Sequence, residues 1–334
     1  MDKKVISVIF TLAVIVLLSS CETNPNRPVK VRSIGKTSEI LVVVENEQQW
    51  ENSIGKTIRK YFGKDQDGLP QSEPLFDIAH VTRSSFSDLL KKHRNIFIVE
   101  IDKNSVEPKV EMVENHWAQP QVVVRITAPN KNLFIRTFEK NADLFLEKYD
   151  RTERERIKAV LKPVSESKAA AAIRKNFGIR MIIPEDFHMV PPKPDFVWVK
   201  KETAEFSQGF FIFKEAYMDT AQFSSASIKA RINRILKQYV PGPTEGSYMT
   251  LDEKYYVPEP KVITDFPTNY AVELRGLWDV ENDFMGGPYI SYTFTDPENK
   301  QIYTLFGYVY HPSKEKRNLL RQVEALLYSV KFIQ

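Results

Sequence analysis

Residues 270–311 read YAVELRGLWDVENDFMGGPYISYTFTDPENKQIYTLFGYVYH. Tyr270 to Asp279, Pro288 to Thr295 and Gln301 to His311 are predicted as three successive antiparallel strands, rich in aromatic and β-branched residues. Asp296-Pro297-Glu298-Asn299 supplies the turn between the last two. A closing helix from Lys314 to Ser329 comes next. It carries Leu319, Leu320, Val323, Leu326, Leu327 and Val330. Leu320, Val323 and Leu327 fall at spacings of three and four, so they form one stripe that should pack on the sheet. Upstream, Phe196–Val199 and Gly209–Phe213 read as paired strands. Ser224 to Tyr239 reads as a helix that Pro241 terminates. Met181–Ile183 is a short strand stopped by Pro184, and Pro191, Pro192 and Pro194 make the next segment stiff and extended.

The preceding residues have a different pattern. Ile40–Val44 is a continuous apolar run, the mark of a buried strand. Asn46 then caps a helix, with Gln49 in the capping-box position, and Trp50, Ile54, Ile58 and Tyr61 share one face until Gly63 ends it. Leu75–Thr82, Ile96–Ile101 and Val122–Ile126 are further strands. Ser84–Lys92 is predicted as a short helix. A helix bearing Leu133, Phe138, Phe145, Leu146 and Tyr149 leads into a charged helical stretch, Arg151 to Lys162, and Ala169–Ala172 sits in another, ended by Gly178. The expected class is α+β, an N-terminal α/β layer followed by an antiparallel sheet covered by helices. The boundaries are 38–178 and 179–334, and no fixed short repeat appears.

Composition narrows the function. The 334 residues are 42% hydrophobic and 27% charged, which excludes a disordered or collagen-like chain. Net charge is +4, from 47 basic and 43 acidic residues, too even for a nucleic-acid footprint. Only 12 glycines leave few backbone cradles for phosphate, and the single cysteine forbids an internal disulfide.

That cysteine follows an address. Lys3 and Lys4 precede an apolar run from Val5 to Leu18, then Ser19, Ser20 and Cys21, which is the layout of a secretory signal peptide over residues 1–20. Fourteen helical residues reach about 21 Å, short of the roughly 30 Å hydrocarbon core of a membrane. Leu18-Ser19-Ser20-Cys21 resembles the bacterial lipobox. The resemblance implies lipidation of Cys21, with a diacylglyceryl group and often a further acyl chain, and a mature chain starting there. The thiol is then unavailable for catalysis or metal ligation. Residues 21–37 read as a flexible tether. Only Glu22 is acidic there, which favours the periplasm-facing side of the envelope.

Tempting motifs lack their context. Ser-Ile-Gly-Lys-Thr occurs at 33–37 and 53–57, but Lys30 and Trp50 stand where a nucleotide loop needs glycine. Gly242-Pro243-Thr244-Glu245-Gly246 has nucleophile-elbow spacing without the strand before it. His80, His93, His116, His188 and His311 share no helix face or strand, so no metal site is expected. Leu277–Tyr289 is the most unusual segment. Trp278 precedes alternating Asp279, Glu281 and Asp283, and then Phe284-Met285-Gly286-Gly287. Gly286 and Gly287 are expected to turn the chain and display Trp278, Asp283, Phe284 and Met285. Pro241, Gly242 and Pro243 form a similar stiff bend. The two loops should lie together at one end of the C-terminal sheet as a partner-binding edge.

Leu69–Pro74, Asp195–Lys201, Tyr239–Pro243, Arg275–Trp278 and Met285–Pro288 resemble an uncharacterised family of Bacteroidota lipoproteins, a domain of unknown function of the DUF4837 type. The likeness spans nearly the whole mature chain and implies no activity, cofactor or catalytic residue. The C-terminal half also resembles PsbP-like α+β domains in its Tyr310-His311-Pro312, amphipathic helix and Ser329–Phe332. The expectation is a membrane-anchored envelope lipoprotein acting as a non-catalytic binding or accessory module for an envelope protein or glycan, without nucleotide, nucleic acid or cofactor. The alternative is an envelope hydrolase acting on glycan through unmarked carboxylates.

Overall fold

A computed structural model describes residues 30–162, 167–296, 298 and 300–333. Residues 1–20, read above as a signal peptide, and Cys21 lie outside the described residues. Helix and strand take 31% and 35%, a mixed α+β protein.

The N-terminal sheet has five strands: β1 (Glu39–Val44), β2 (Asp77–Thr82), β3 (Asn95–Ile101), β4 (Lys109–Glu114) and β5 (Val122–Ala128). Their order is β2-β1-β3-β5-β4, parallel except for the antiparallel edge strand β4. One face is covered by α1 (Glu47–Glu51), α2 (Ser53–Phe62) and α3 (Lys131–Leu161). Trp50, Ile58, Phe62, Phe97, Phe138 and Phe145 fill that layer. The expected single helix after Asn46 is two, because Asn52 closes α1 and its side chain caps α2. The helical stretches on either side of Asp150 form one 31-residue helix.

The opposite face carries a smaller buried cluster, Val43, Ile96, Ile98 and Val123, with Val81, Phe86 and Trp117 partly buried over them. The helix expected over Ser84–Lys92 is two short turns, Arg83–Ser85 and Leu90–Lys92. Residues 83–94 return from the end of β2 to the start of β3, a strand length of about 20 Å, while nine helical residues rise only about 13 Å. The edge strand β4 is not evident in the sequence, since KVEMVE is mostly exposed and lacks a continuous apolar run. Residues 31–34 are not free tether. Arg32 bridges to Gln119 and Ile34 to His93.

The C-terminal sheet is built from β7 (His188–Met189), β8 (Phe196–Glu202), β9 (Ser207–Ala216), β10 (Tyr248–Asp252), β11 (Lys261–Ile263), β12 (Ala271–Glu281), β13 (Gly286–Asp296) and β14 (Gln301–Tyr310). The order is β10-β12-β13-β14-β9-β8-β7, with β11 beside β12. Both faces are covered. Helix α5 (Ser225–Tyr239) buries Ile228, Ile232 and Leu236 on one. Helix α6 (Arg317–Leu327) buries Leu320, Val323 and Leu327 against Ile290, Leu305 and Val309 on the other. Helix α4 (Lys168–Phe177) joins that second core through Ala169, Ile173 and Phe177, although it precedes residue 178. A short pair, β6 (Ile179–Arg180) with β15 (Lys331–Phe332), ties in the chain end.

Candidate functional site

The cleft between the two sheets is lined by α3, β12, α6 and the loop after α2, and has a volume of about 490 Å³. Each element contributes charge by simple periodicity. Glu273 and Arg275 are two apart on β12, so they point the same way. Tyr292 on β13 is the direct cross-strand partner of Glu273. Arg321 and Glu324 are one turn apart on α6, as are Asp150 and Arg154 on α3.

These residues meet on the floor. Arg154 Nη1 donates to Glu324 Oε1 at 3.0 Å, and Arg275 Nη2 lies 3.1 Å from the same oxygen. Arg275 Nε donates to Glu273 Oε1 at 2.9 Å. The Tyr292 hydroxyl donates to Glu273 at 2.7 Å and stands 3.3 Å from Glu324. Arg321 donates to Ser38 Oγ and to the Leu75 carbonyl, both at 2.9 Å, and lies 3.5 Å from Asp150. The Arg154 guanidinium covers the Tyr328 ring at 3.6 Å and Arg321 covers Phe76 at 4.6 Å. Three guanidiniums thus face three carboxylates.

The carboxylates respond differently. Burial pushes Glu324 up, but Arg275, Arg154 and Arg321 outweigh it and hold the carboxyl well below its ordinary range. For Asp150, burial and the charge of Glu324 raise the carboxyl despite Arg321 and Arg154. Asp150 and Glu324 each approach Arg154 Nη1, at 3.6 and 3.0 Å, so their contacting oxygens are at most about 6.6 Å apart. Above this floor the exposed rim carries Asp65, Asp67, Asp143, Glu147 and Asp265 against Lys64 and Lys261.

The loops singled out from the sequence do lie together. Pro241 bridges to Tyr248, Tyr248 pairs with Glu281, and the Thr244 hydroxyl reaches the Asn282 carbonyl at 3.5 Å. Gly242 sits against Val280, where a Cβ would come within 2.5 Å of its side chain. Pro241 and Pro243 are exposed. Phe284 is fully exposed at the hairpin tip and Asp283 is half-buried.

Three details differ from expectation. Trp278 is only 4% exposed, and its indole donates to the Val309 carbonyl at 3.2 Å, so it belongs to the core. Met285 packs partly on that core. The turn is made by Asn282, at φ 65°, while Gly286 and Gly287 lie within β13. Gly287 is needed for close approach instead, since a Cβ there would lie 2.1 Å from the Val309 carbonyl. None of the loop residues lines the cleft.

The sequence reading missed the floor. One signal was present: Glu324 falls within the Leu320-Val323-Leu327 stripe, and a charge in an apolar stripe needs a buried partner.

A family comparison matches residues 165–329 to a domain of unknown function, DUF4837. This region belongs to the DUF4837 family. The DUF4837 region takes in α4 through α6 and the whole C-terminal sheet. Residues 33–162 match another domain of unknown function, DUF8532, so Leu69–Pro74 lies outside DUF4837. No curated protein matches the chain. Among solved structures, LpqN of Mycobacterium tuberculosis, described as involved in cell envelope biogenesis, is 11% identical with a TM-score of 0.26. The match covers 46% of this chain and 82% of LpqN, and so slight a likeness carries no argument. No helix among the described residues is long and apolar enough to cross a membrane.

Proposed function

We propose that the chain is a lipid-anchored cell-envelope protein, attached at Cys21 and facing the periplasm, whose cleft holds a partner without converting it. In this reading the DUF8532 and DUF4837 regions are two units that build one binding site. One observation carries the non-catalytic part. Glu324, 4% exposed, is engaged by Arg154, Arg275 and Tyr292 at once. A carboxylate held this way is a poor nucleophile or base, because attack would strip it from three donors. The rim, with five carboxylates against two lysines, suits a partner bearing positive groups. The hairpin tip at Phe284 and the bend at Pro241–Pro243 supply a second contact.

The hydrolase reading has its own support. Asp150 and Glu324 lie close and their proton affinities are pushed in opposite directions, the pattern of an acid paired with a base. Both readings are tested by a photocrosslinking residue placed at Asp143 in native membranes. Discrete adducts, lost on Glu147→Lys, support the binder. The absence of adducts at the cleft, together with glycan cleavage that Asp150→Asn abolishes, would replace it with the hydrolase.

A further inference from the structure

We propose that the helix-free face of the N-terminal sheet lies against an anionic lipid surface. Among the described residues, helices cover one side of that sheet and both sides of the C-terminal one, while over this face lie the return loop 83–94 and the loop 115–121, with residues 31–34 bridged to them. Phe86 and Trp117 hold those loops down edge to face, at 5.7 Å. Around them apolar side chains remain open to solvent: Leu89 is 62% exposed, Val31 48% and Val113 42%.

The backbone joins these positions into one patch. Ile34 donates to the Lys92 carbonyl at 2.9 Å, Lys92 to that of Leu89 at 3.1 Å, and Gln119 to that of Val31 at 2.9 Å. The same patch carries Lys30, Arg32 and Lys92, for which no carboxylate lies within ion-pairing distance among the described residues, while Lys91 is taken by Asp88 at 2.9 Å. Open apolar residues among such cations are the composition of a surface that sits at the headgroup level of an anionic bilayer.

Chain length selects a membrane over other occupants. The orientation rests on the lipid anchor proposed at Cys21. Nine residue steps separate Cys21 from Lys30, a reach of at most about 32 Å. A folded chain of this size is roughly 50 Å across, from a radius of gyration of about 19 Å. An anchor this short keeps the patch, where the chain enters, nearer the bilayer than the Phe284 tip can be on average.

The test uses the full chain, purified from membranes and placed in vesicles of phosphatidylethanolamine with phosphatidylglycerol. An environment-sensitive fluorophore is attached through Leu89→Cys, or through Phe284→Cys as the control, with a quencher carried on the lipid chains. Mass spectrometry of the same sample reads whether Cys21 is lipidated. Quenching at 89 and not at 284 is expected. Arg32→Gln with Lys92→Gln should lower the docked-to-undocked ratio about 25-fold, roughly fivefold for each cation. Vesicles of phosphatidylcholine alone should show the same loss without the substitutions.

No quenching at 89, equal quenching at both positions, or indifference to charge would each overturn the proposal. Quenching at 89 with an unmodified Cys21, repeated with Cys21→Ser so that the fluorophore sits at 89 alone, would remove the anchor and leave the docking face. A lipidated Cys21 with position 89 unquenched would do the reverse.

Discussion

Glu324 shows how a single residue ties the chain together. It sits in the apolar stripe of α6 and receives Arg154 from α3 and Arg275 from β12. Glu324→Ala leaves two guanidiniums short of a counter-charge, which should destabilise the fold by about 3–5 kcal/mol in urea titration at neutral pH. The pH dependence has a defined sign. The folded carboxyl lies below its unfolded value, so its contribution is complete above the unfolded range, near pH 4.5, and is lost as pH falls through the folded one. Asp150 runs the other way. Its folded carboxyl is raised, so stability falls as pH climbs from its ordinary value of 3.8 toward the folded one. Asp150→Asn should therefore flatten that fall while keeping a polar contact to Arg321, and stability measured from pH 3 to 7 checks it. At Gly287 the constraint is steric. Gly287→Ala would drive a methyl into the Val309 carbonyl and should cost about 1–3 kcal/mol, again by urea titration.

Elements built from local pattern were legible. The strands at 271–281, 286–296 and 301–310 and the stripe of α6 follow from alternation and helical spacing, which depend only on near neighbours. The start of α6 was not legible, because its cap comes from elsewhere. Lys316 offers no side-chain cap. The first amides of the helix, those of Lys316 and Arg317, instead donate to the two oxygens of Glu73, each at 2.8 Å. Glu73 lies 243 positions upstream of Lys316, beyond any capping-box search. Its carboxylate neutralises the positive helix end. Glu73→Ala should destabilise by about 1–2 kcal/mol, while Glu73→Gln, which keeps one acceptor, should lose less. For the face of α6, Leu327→Ala should cost about 2–5 kcal/mol, since the residue is wholly buried. At the hairpin tip, Phe284→Ser should leave the melting curve unchanged within about 0.5 kcal/mol.

Across the whole molecule the two sheets are joined by charge and hydrogen bonding more than by a shared apolar layer. Their cores are separate clusters, two of N-terminal residues and two of C-terminal ones among the described residues. The join consists of Glu73 on α6, Arg317 on Asp77 at 2.8 Å, Arg321 on Ser38 and Arg154 on Glu324. Each pair is more than 160 residues apart in sequence, which is why no local pattern announced the cleft. Two family regions meeting across such a join predict a specific dependence. The DUF4837 region expressed alone, as residues 165–334, keeps both of its cores but loses the cap of α6, the ion-pair partner of Arg317, the partners of Arg321 and the Arg154 contact to Glu324. Arg275 and Tyr292 would still hold Glu324, so the fold should persist while the helix face turned toward the missing unit carries unpaired charge. Its stability in urea should fall at least about 3 kcal/mol below that of the C-terminal unit in the full chain, the sum of one cap and one broken ion pair. Added salt should recover part of that loss by screening Arg317 and Arg321, now exposed to solvent. Hydrogen exchange would locate the change in the first turn of α6. Equal stability of the fragment and the full chain would mean that the join contributes nothing to the fold.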